Sequence, residues 1–245
     1  MKLTFEPNLE YQQEAIRAVV GLFEGQTLED SDYRYGMQED GQFDFIDGVG
    51  NHLALTDEQI LVNLQKVQEQ NEVPVSESLD GMHFSVEMET GTGKTYVYLR
   101  TIYELNSRYG FKKFVIVVPS VPIREGVLKN LQITHEHFQT LYDNIPVNYK
   151  VYDRNRISQL RGFATSDNIE ILVINIDAFA KDENVINKPN DKLNGQEPIK
   201  FIQSACPIVI VDEPQNMESE KRSAGHSQSQ SVMYAPLFGN ASQPL

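Results

Sequence analysis

Three largely apolar runs, 114–118, 169–174 (broken only by Glu170) and 208–211, punctuate the second half of the chain. Largely β-branched runs of this length, without polar alternation, predict strands buried on both faces, as in a parallel sheet. A further strand is predicted at the start of 84–100, FSVEMETGTGKTYVYLR, followed by a glycine-bearing loop and a helix from Lys94 to about Tyr109. Between the strands the period changes to that of helices. Within 5–24, Leu9, Ala15, Ile16, Val19, Val20 and Phe23 fall on one helical face. Residues 56–70 open on a capping Thr56 with acidic residues in the first turn and carry the stripe Ile60, Leu61, Leu64, Val67. Further helices are predicted over 122–131, 135–145 and 198–205, and a short alternating strand over 147–152. Strands alternating with helices at this spacing imply an α/β fold: a mostly parallel sheet with helices on both faces.

The chain has 245 residues, 40% hydrophobic, enough for one large α/β domain or a domain with an elaboration. Its net charge of −14 argues at first against a nucleic-acid partner, but the charge is local. Between Glu24 and Asp80 stand 14 acidic residues against two basic ones, Arg34 and Lys66. Broken by glycines, 25–80 reads as an acidic insertion, partly loop and partly helix. It could steer DNA elsewhere, dock a partner, or be a solvated elaboration. A DNA-contacting face on the rest of the chain remains open, and Arg154, Arg156 and Arg161 form a small basic patch. A single Cys206 cannot form an internal disulfide, which fits a reducing cytoplasm. No signal peptide and no apolar run near 18 residues is seen, so no membrane is expected. The tail from Arg222 is rich in Ser and Gln, has no acidic residue and no clear period, and is expected to be poorly ordered; its His226 has no companion.

Chemistry concentrates in two places. In the loop after the first core strand, backbone N–H groups of Thr90, Gly91, Thr92, Gly93, Lys94 and Thr95 can curl around phosphates, with Gly91 and Gly93 permitting positive φ. Lys94 would reach the β and γ phosphates of ATP, and the Thr95 hydroxyl would hold Mg²⁺. Met88 stands where the commonest form of this loop has a glycine. The bland alternative is a glycine turn before a helix. The second place is Pro207–Met217, PIVIVDEPQNM, where a buried strand delivers Asp212 and Glu213. Carboxylates at the C-terminal end of such a strand sit beside a neighbouring strand's phosphate loop. Asp212 would serve the Mg²⁺ shell, and Glu213 would orient and deprotonate the attacking water. The same pair could also cap a helix.

Two weaker signals join these. Gln12, at the start of the first helix, could pair with the donor and acceptor on adenine's edge, or be a solvated glutamine on an amphipathic helix. Pro119 and Ser120 end the strand 114–118, with Arg124 close behind. A strand-end serine with a nearby arginine can take a nucleic-acid phosphate, and an ordinary strand-to-helix turn reads the same way.

Taken in order, YQQEAI, METGTGKT, VIVVPSVPIREGV, ILVINIDAF and VIVDEPQNM resemble the restriction subunit of type III restriction endonucleases, over Phe5 to about Lys221. METGTGKT is the loop form that helicase-like ATPases of the second superfamily carry. PSVPIREG and the Asp-Glu-Pro-Gln of the acidic motif distinguish the chain from DEAD-box and DEAH-box enzymes. The resemblance implies that 1–221 is the first of two RecA-like motor domains, with 222–245 as a tail. By residue-wise match it gives Gln12 to adenine, Gly91, Gly93, Lys94 and Thr95 to phosphate and Mg²⁺, Asp212 and Glu213 to metal and water, Gln215 to coupling, and Pro119, Ser120 and Arg124 to the DNA path.

That family couples ATP hydrolysis to movement along double-stranded DNA, cuts with a separate C-terminal nuclease, and works with a modification (methyltransferase) subunit. The Ser-Ala-Thr-type coupling motif expected after the acidic motif does not occur between Met217 and Leu245. The second motor domain, its arginine finger and the nuclease are not expected in this chain, whose tail reads like a truncation or a shifted frame. ATP binding is therefore expected to survive better than hydrolysis, since an arginine finger contributes about 10³- to 10⁵-fold in rate. The alternatives are another superfamily-2 DNA motor, from type I restriction or repair, and a remnant that only binds DNA or a partner subunit.

Overall fold

The computed structural model describes residues 4–28, 33–37, 43–179, 184–214 and 230–236, of which 33–37, 43–47 and 230–236 are described as backbone only. In chain order the elements are α1 (Glu10–Gly21), β1 (Tyr33–Met37), β2 (Phe43–Val49), α2 (Asp57–Gln70), β3 (Phe84–Met88), α3 (Lys94–Tyr109) and β4 (Lys113–Val118). There follow α4 (Val121–Leu141), β5 (Val147–Val151), α5 (Gln159–Thr165), β6 (Ile169–Asn175), α6 (Pro198–Ser204), β7 (Ile208–Asp212) and β8 (Gln230–Pro236). Three short 3₁₀ turns lie between β6 and α6.

The apolar runs form the centre of a six-stranded sheet ordered β3-β8-β7-β4-β6-β5. Strands β4 to β7 are mutually parallel, in pairs such as Ile116 with Val173 and Ile116 with Ile210. Because side chains alternate across a strand, each central strand feeds two cores. Phe114, Ile116 and Val118 join α1, α3 and α4 on one face, while Val115 and Val117 join α5 and α6 on the other. This is the expected α/β sheet covered on both faces, with the RecA-like strand-and-helix alternation. No helix among the described residues is long and apolar enough to cross a membrane.

Three local differences have physical reasons. Residues 121–141 form one helix rather than two, because no glycine or proline interrupts them after Gly126 and Val127, Leu131, Thr134 and Phe138 continue one buried stripe. The insertion contains an antiparallel β1–β2 hairpin as well as the expected helix, whose Thr56 and Gln59 form a reciprocal capping box. Residues 230–236, within the tail that showed no period, make β8, antiparallel to both β3 and β7. Pairing of that kind is non-local and leaves no short-range signature.

The insertion is fixed to the N-terminal edge of the sheet. Buried Asn51 donates through Nδ2 to Lys113 O (2.8 Å) and accepts at Oδ1 from the N–H groups of Lys112 (2.8 Å) and Lys113 (3.0 Å). Asn63 on α2 donates to Leu22 O and Glu24 O, closing the end of α1. Among the described residues, the opposite, C-terminal edge carries two open clefts.

Candidate functional site

At that open edge β3 runs into the glycine loop and β7 ends in its carboxylates. Gly91 (φ +84°) and Gly93 (φ +87°) take the left-handed conformation that permits the loop to fold back, and Gly93 then caps α3 at its N-terminus. Gly93 is doubly constrained, since a Cβ there would lie 2.8 Å from the Gln12 amide nitrogen. Beyond the loop, α3 begins at Lys94, so its unsatisfied N–H groups and positive dipole end face the same space.

A cavity of about 590 Å³ opens there, lined by Gln12, Gly91, Gly93, Lys94, Thr95, Asp212 and Glu213 among others. Residues from three separated stretches of sequence thus converge on one volume. Burial depresses the Lys94 ammonium, and the nearby Asp212 and Glu213 oppose that depression. Asp212 is 6% exposed; burial pushes its carboxyl up, against a hydrogen bond from Tyr98 and the Lys94 charge. Glu213 adopts φ +54°, uncommon for a residue other than glycine, immediately before Pro214, which biases its predecessor toward extended backbone. Backbone strain therefore falls where the strand delivers its second carboxylate.

Gln12, on α1 and 6% exposed, donates from Nε2 to Thr92 O at 2.8 Å. Its amide is thus part of the loop's support as well as of the cavity wall. Thr92 Oγ1 donates to Glu89 O at 2.6 Å, tightening the turn, and neither Thr90 nor Thr92 lines the cavity. The opposite wall is apolar: Phe5 stacks on Tyr96 (centroids 5.9 Å apart, planes at 16°), and Leu9, Ile123 and Val127 extend it. A flat heteroaromatic ring could lie against that wall with a polar edge toward Gln12.

Thr95 and Asp212 supply a hydroxyl and a carboxylate, hard oxygen donors suited to Mg²⁺. No group of three His, Cys, Asp or Glu side chains able to hold a metal occurs among the described residues. Two protein oxygens on a phosphate-sized cavity fit an ion that keeps waters and takes its remaining ligands from phosphates.

The residues assigned to a DNA path divide. Ser120 is the N-cap of α4, its Oγ accepting weakly from Ile123 N at 3.5 Å. Arg124 pairs with Glu125 at 2.9 Å and lines a second cleft of about 790 Å³ beside Arg154 and Arg156, which belong to the basic patch. Neither Pro119 nor Ser120 lines this cleft. Gln215 lies outside the described residues. The sequence reading missed Phe5, Tyr96 and Tyr98. Tyr98 had a weak signal in lying one helical turn beyond Lys94, but that the phenol is buried and needs a partner is seen only in the structure.

Comparison with known proteins gives the chain's relatives. The chain is 29% identical to the EcoPI Res subunit of a type III restriction-modification enzyme from Escherichia phage P1, across 96% of the chain and 26% of that protein. It is 26% identical to the EcoP15I Res subunit from Escherichia coli over the same shares, and 33% identical to the StyLTI Res subunit from Salmonella typhimurium across 58% of the chain and 16% of that protein. The chain thus spans about a quarter of the length of the curated relatives it matches most fully. A sequence model of the type III restriction enzyme res subunit matches residues 7–232, and the chain belongs to that family.

Proposed function

We infer that this chain is the ATP-binding part of a DNA-translocating restriction motor, in which Mg-ATP hydrolysis drives movement along double-stranded DNA. The observation that carries the reading is the single cavity uniting Gln12, the glycine loop and the two carboxylates of β7. In this reading the amides of Gly91, Gly93, Lys94 and Thr95 at the α3 N-terminus hold the triphosphate, and the Lys94 ammonium bridges its β and γ groups. Thr95 and Asp212 would hold Mg²⁺, which supplies charge neutralisation on the β and γ oxygens. Glu213 orients a water and accepts its proton as the water oxygen bonds to the γ phosphorus and the bond to ADP breaks. Gln12 and the Phe5–Tyr96 wall take the adenine, and Gln215 couples nucleotide state to the rest of the motor.

No arginine lines the cavity among the described residues. A transition-state arginine would then have to be supplied from outside this cavity, and hydrolysis by this chain alone is expected to be slow. The cleft with Arg124, Arg154 and Arg156 lies along the same edge and supports a phosphate-backbone contact, while site choice belongs to a modification subunit.

The test is a binding isotherm for a fluorescent ATP analogue with Mg²⁺. The parent and Glu213→Gln are expected to bind alike, with hydrolysis lost in the latter, and Lys94→Ala is expected to lose binding. Equal affinity in Lys94→Ala would overturn the site assignment.

A further inference from the structure

We propose that Tyr98 is a positioning residue for the Asp212 carboxylate and so sets how tightly the site holds Mg²⁺ with nucleotide. The proposal rests on the reading of Asp212 as a magnesium ligand. Tyr98 Oη donates to Asp212 Oδ2 at 3.1 Å, between residues 114 positions apart. The phenol is fully buried, and Asp212 at the end of β7 is nearly so while lining the cavity. Tyr98 lies on α3, which begins at Lys94, one turn beyond the residues that face the triphosphate. One hydroxyl therefore ties the strand that presents the metal carboxylate to the helix that presents Lys94 and Thr95.

An aspartate carboxylate turns freely about its last torsion, and its metal affinity depends on which oxygen faces the ion. A hydrogen bond to one oxygen from the buried side fixes that plane before the ion arrives. Outer partners of this kind typically change metal affinity by about 10- to 100-fold. The competing account is that Asp212 merely satisfies a buried phenol, in which case removal of the hydroxyl would lower stability and leave metal affinity alone.

Tyr98→Phe keeps the ring and removes only the hydroxyl. Binding of a fluorescent ADP analogue is titrated with Mg²⁺, and again in EDTA, for the parent, Tyr98→Phe and Asp212→Asn; Mn²⁺ bound in place of Mg²⁺ is followed by electron paramagnetic resonance. The expected result is a rise of about 10- to 100-fold in the half-saturating Mg²⁺ for Tyr98→Phe, with metal-free nucleotide affinity unchanged. In the Asp212→Asn background, Tyr98→Phe should add nothing further to the metal dependence. An unchanged Mg²⁺ half-saturation in folded Tyr98→Phe overturns the proposal and leaves the nucleotide site standing. Absence of Mg²⁺-dependent binding in the parent overturns both. If Tyr98→Phe does not fold, 4-fluorophenylalanine at position 98 fills the hydroxyl's volume without donating, and the same two outcomes decide.

Discussion

Two lysines sit at opposite ends of this sheet, and burial depresses both. Lys113, at the start of β4, is fully buried and brought down to about 8, with Glu170 opposing the shift. Its Nζ donates to Phe163 O (2.7 Å) and Ser166 O, over the Phe163 ring. Glu170 beside it, 1% exposed, takes Lys150 Nζ at 2.7 Å and Asn148 Nδ2 at 2.9 Å. Lys94, at the other end, faces a cavity of about 590 Å³ with Asp212 and Glu213. A strongly perturbed group is often a sign of a functional site. Here the larger shift belongs to the lysine closed in by carbonyls and a paired glutamate. Open volume with converging groups of complementary chemistry distinguishes the end proposed to bind nucleotide, and strain at Glu213 falls on that end as well.

The sharpest way to break this contrast is to remove each lysine. Lys94→Ala should weaken ATP binding at least ~30-fold, in line with roughly 2–5 kcal/mol for truncating a buried hydrogen-bonded charge, whereas Lys113→Met should leave affinity unchanged. Isotherms on both variants check it.

At the closed end the large effects are on stability. Glu170→Ala leaves Lys150 and Lys113 uncompensated and should cost roughly 3–5 kcal/mol in urea unfolding, with ATP affinity per folded molecule unaltered.

The closed end should also respond to pH. Folded protein releases the Lys113 proton near pH 8, whereas the unfolded chain keeps it to about 10.5. Between these values the unfolded state binds more protons, so this lysine's burial penalty fades and stability rises with pH, by at most about 3 kcal/mol. Buried tyrosines such as Tyr103, pushed up to about 12, act in the opposite sense above about pH 10. The unfolding free energy of the parent relative to Lys113→Met should therefore climb from about pH 8 to about pH 10. A flat difference would show that the ammonium is not closed in.

The smallest effect concerns Ser120. As the N-cap of α4 it predicts a loss of about 1 kcal/mol on Ser120→Ala, read by thermal unfolding. DNA affinity should change little, because the cleft is lined by Arg124, Arg154 and Arg156 without it.

Legibility from sequence followed locality. The glycine loop and Gly110 fixed both ends of α3, and largely apolar runs marked β4, β6 and β7, because caps and buried strands write themselves into short windows. Thr56 likewise announced α2 through its capping box. What escaped was set by partners far along the chain. β8 is defined by bonding to β3 and β7, which its own residues do not encode in any period. The burial of Lys113 depends on Phe163, Ser166 and Asn51. Tyr98 gained its partner only when β7 came alongside α3. At the cavity, residue types and spacing anticipated that Lys94, Thr95, Asp212 and Glu213 lie together, while Gln12's bond to the Thr92 carbonyl and the Phe5–Tyr96 wall required coordinates.

The central claim, that the open edge binds nucleotide and the closed edge does not take part, is tested most directly by thermal unfolding with and without Mg-ATP in the parent, Lys94→Ala and Lys113→Met. Ligand that binds only the folded state at 100 times its Kd adds about 2.7 kcal/mol. The account predicts a nucleotide-dependent rise in midpoint for the parent and Lys113→Met and none for Lys94→Ala. An equal rise in Lys94→Ala, or none in the parent, would contradict it.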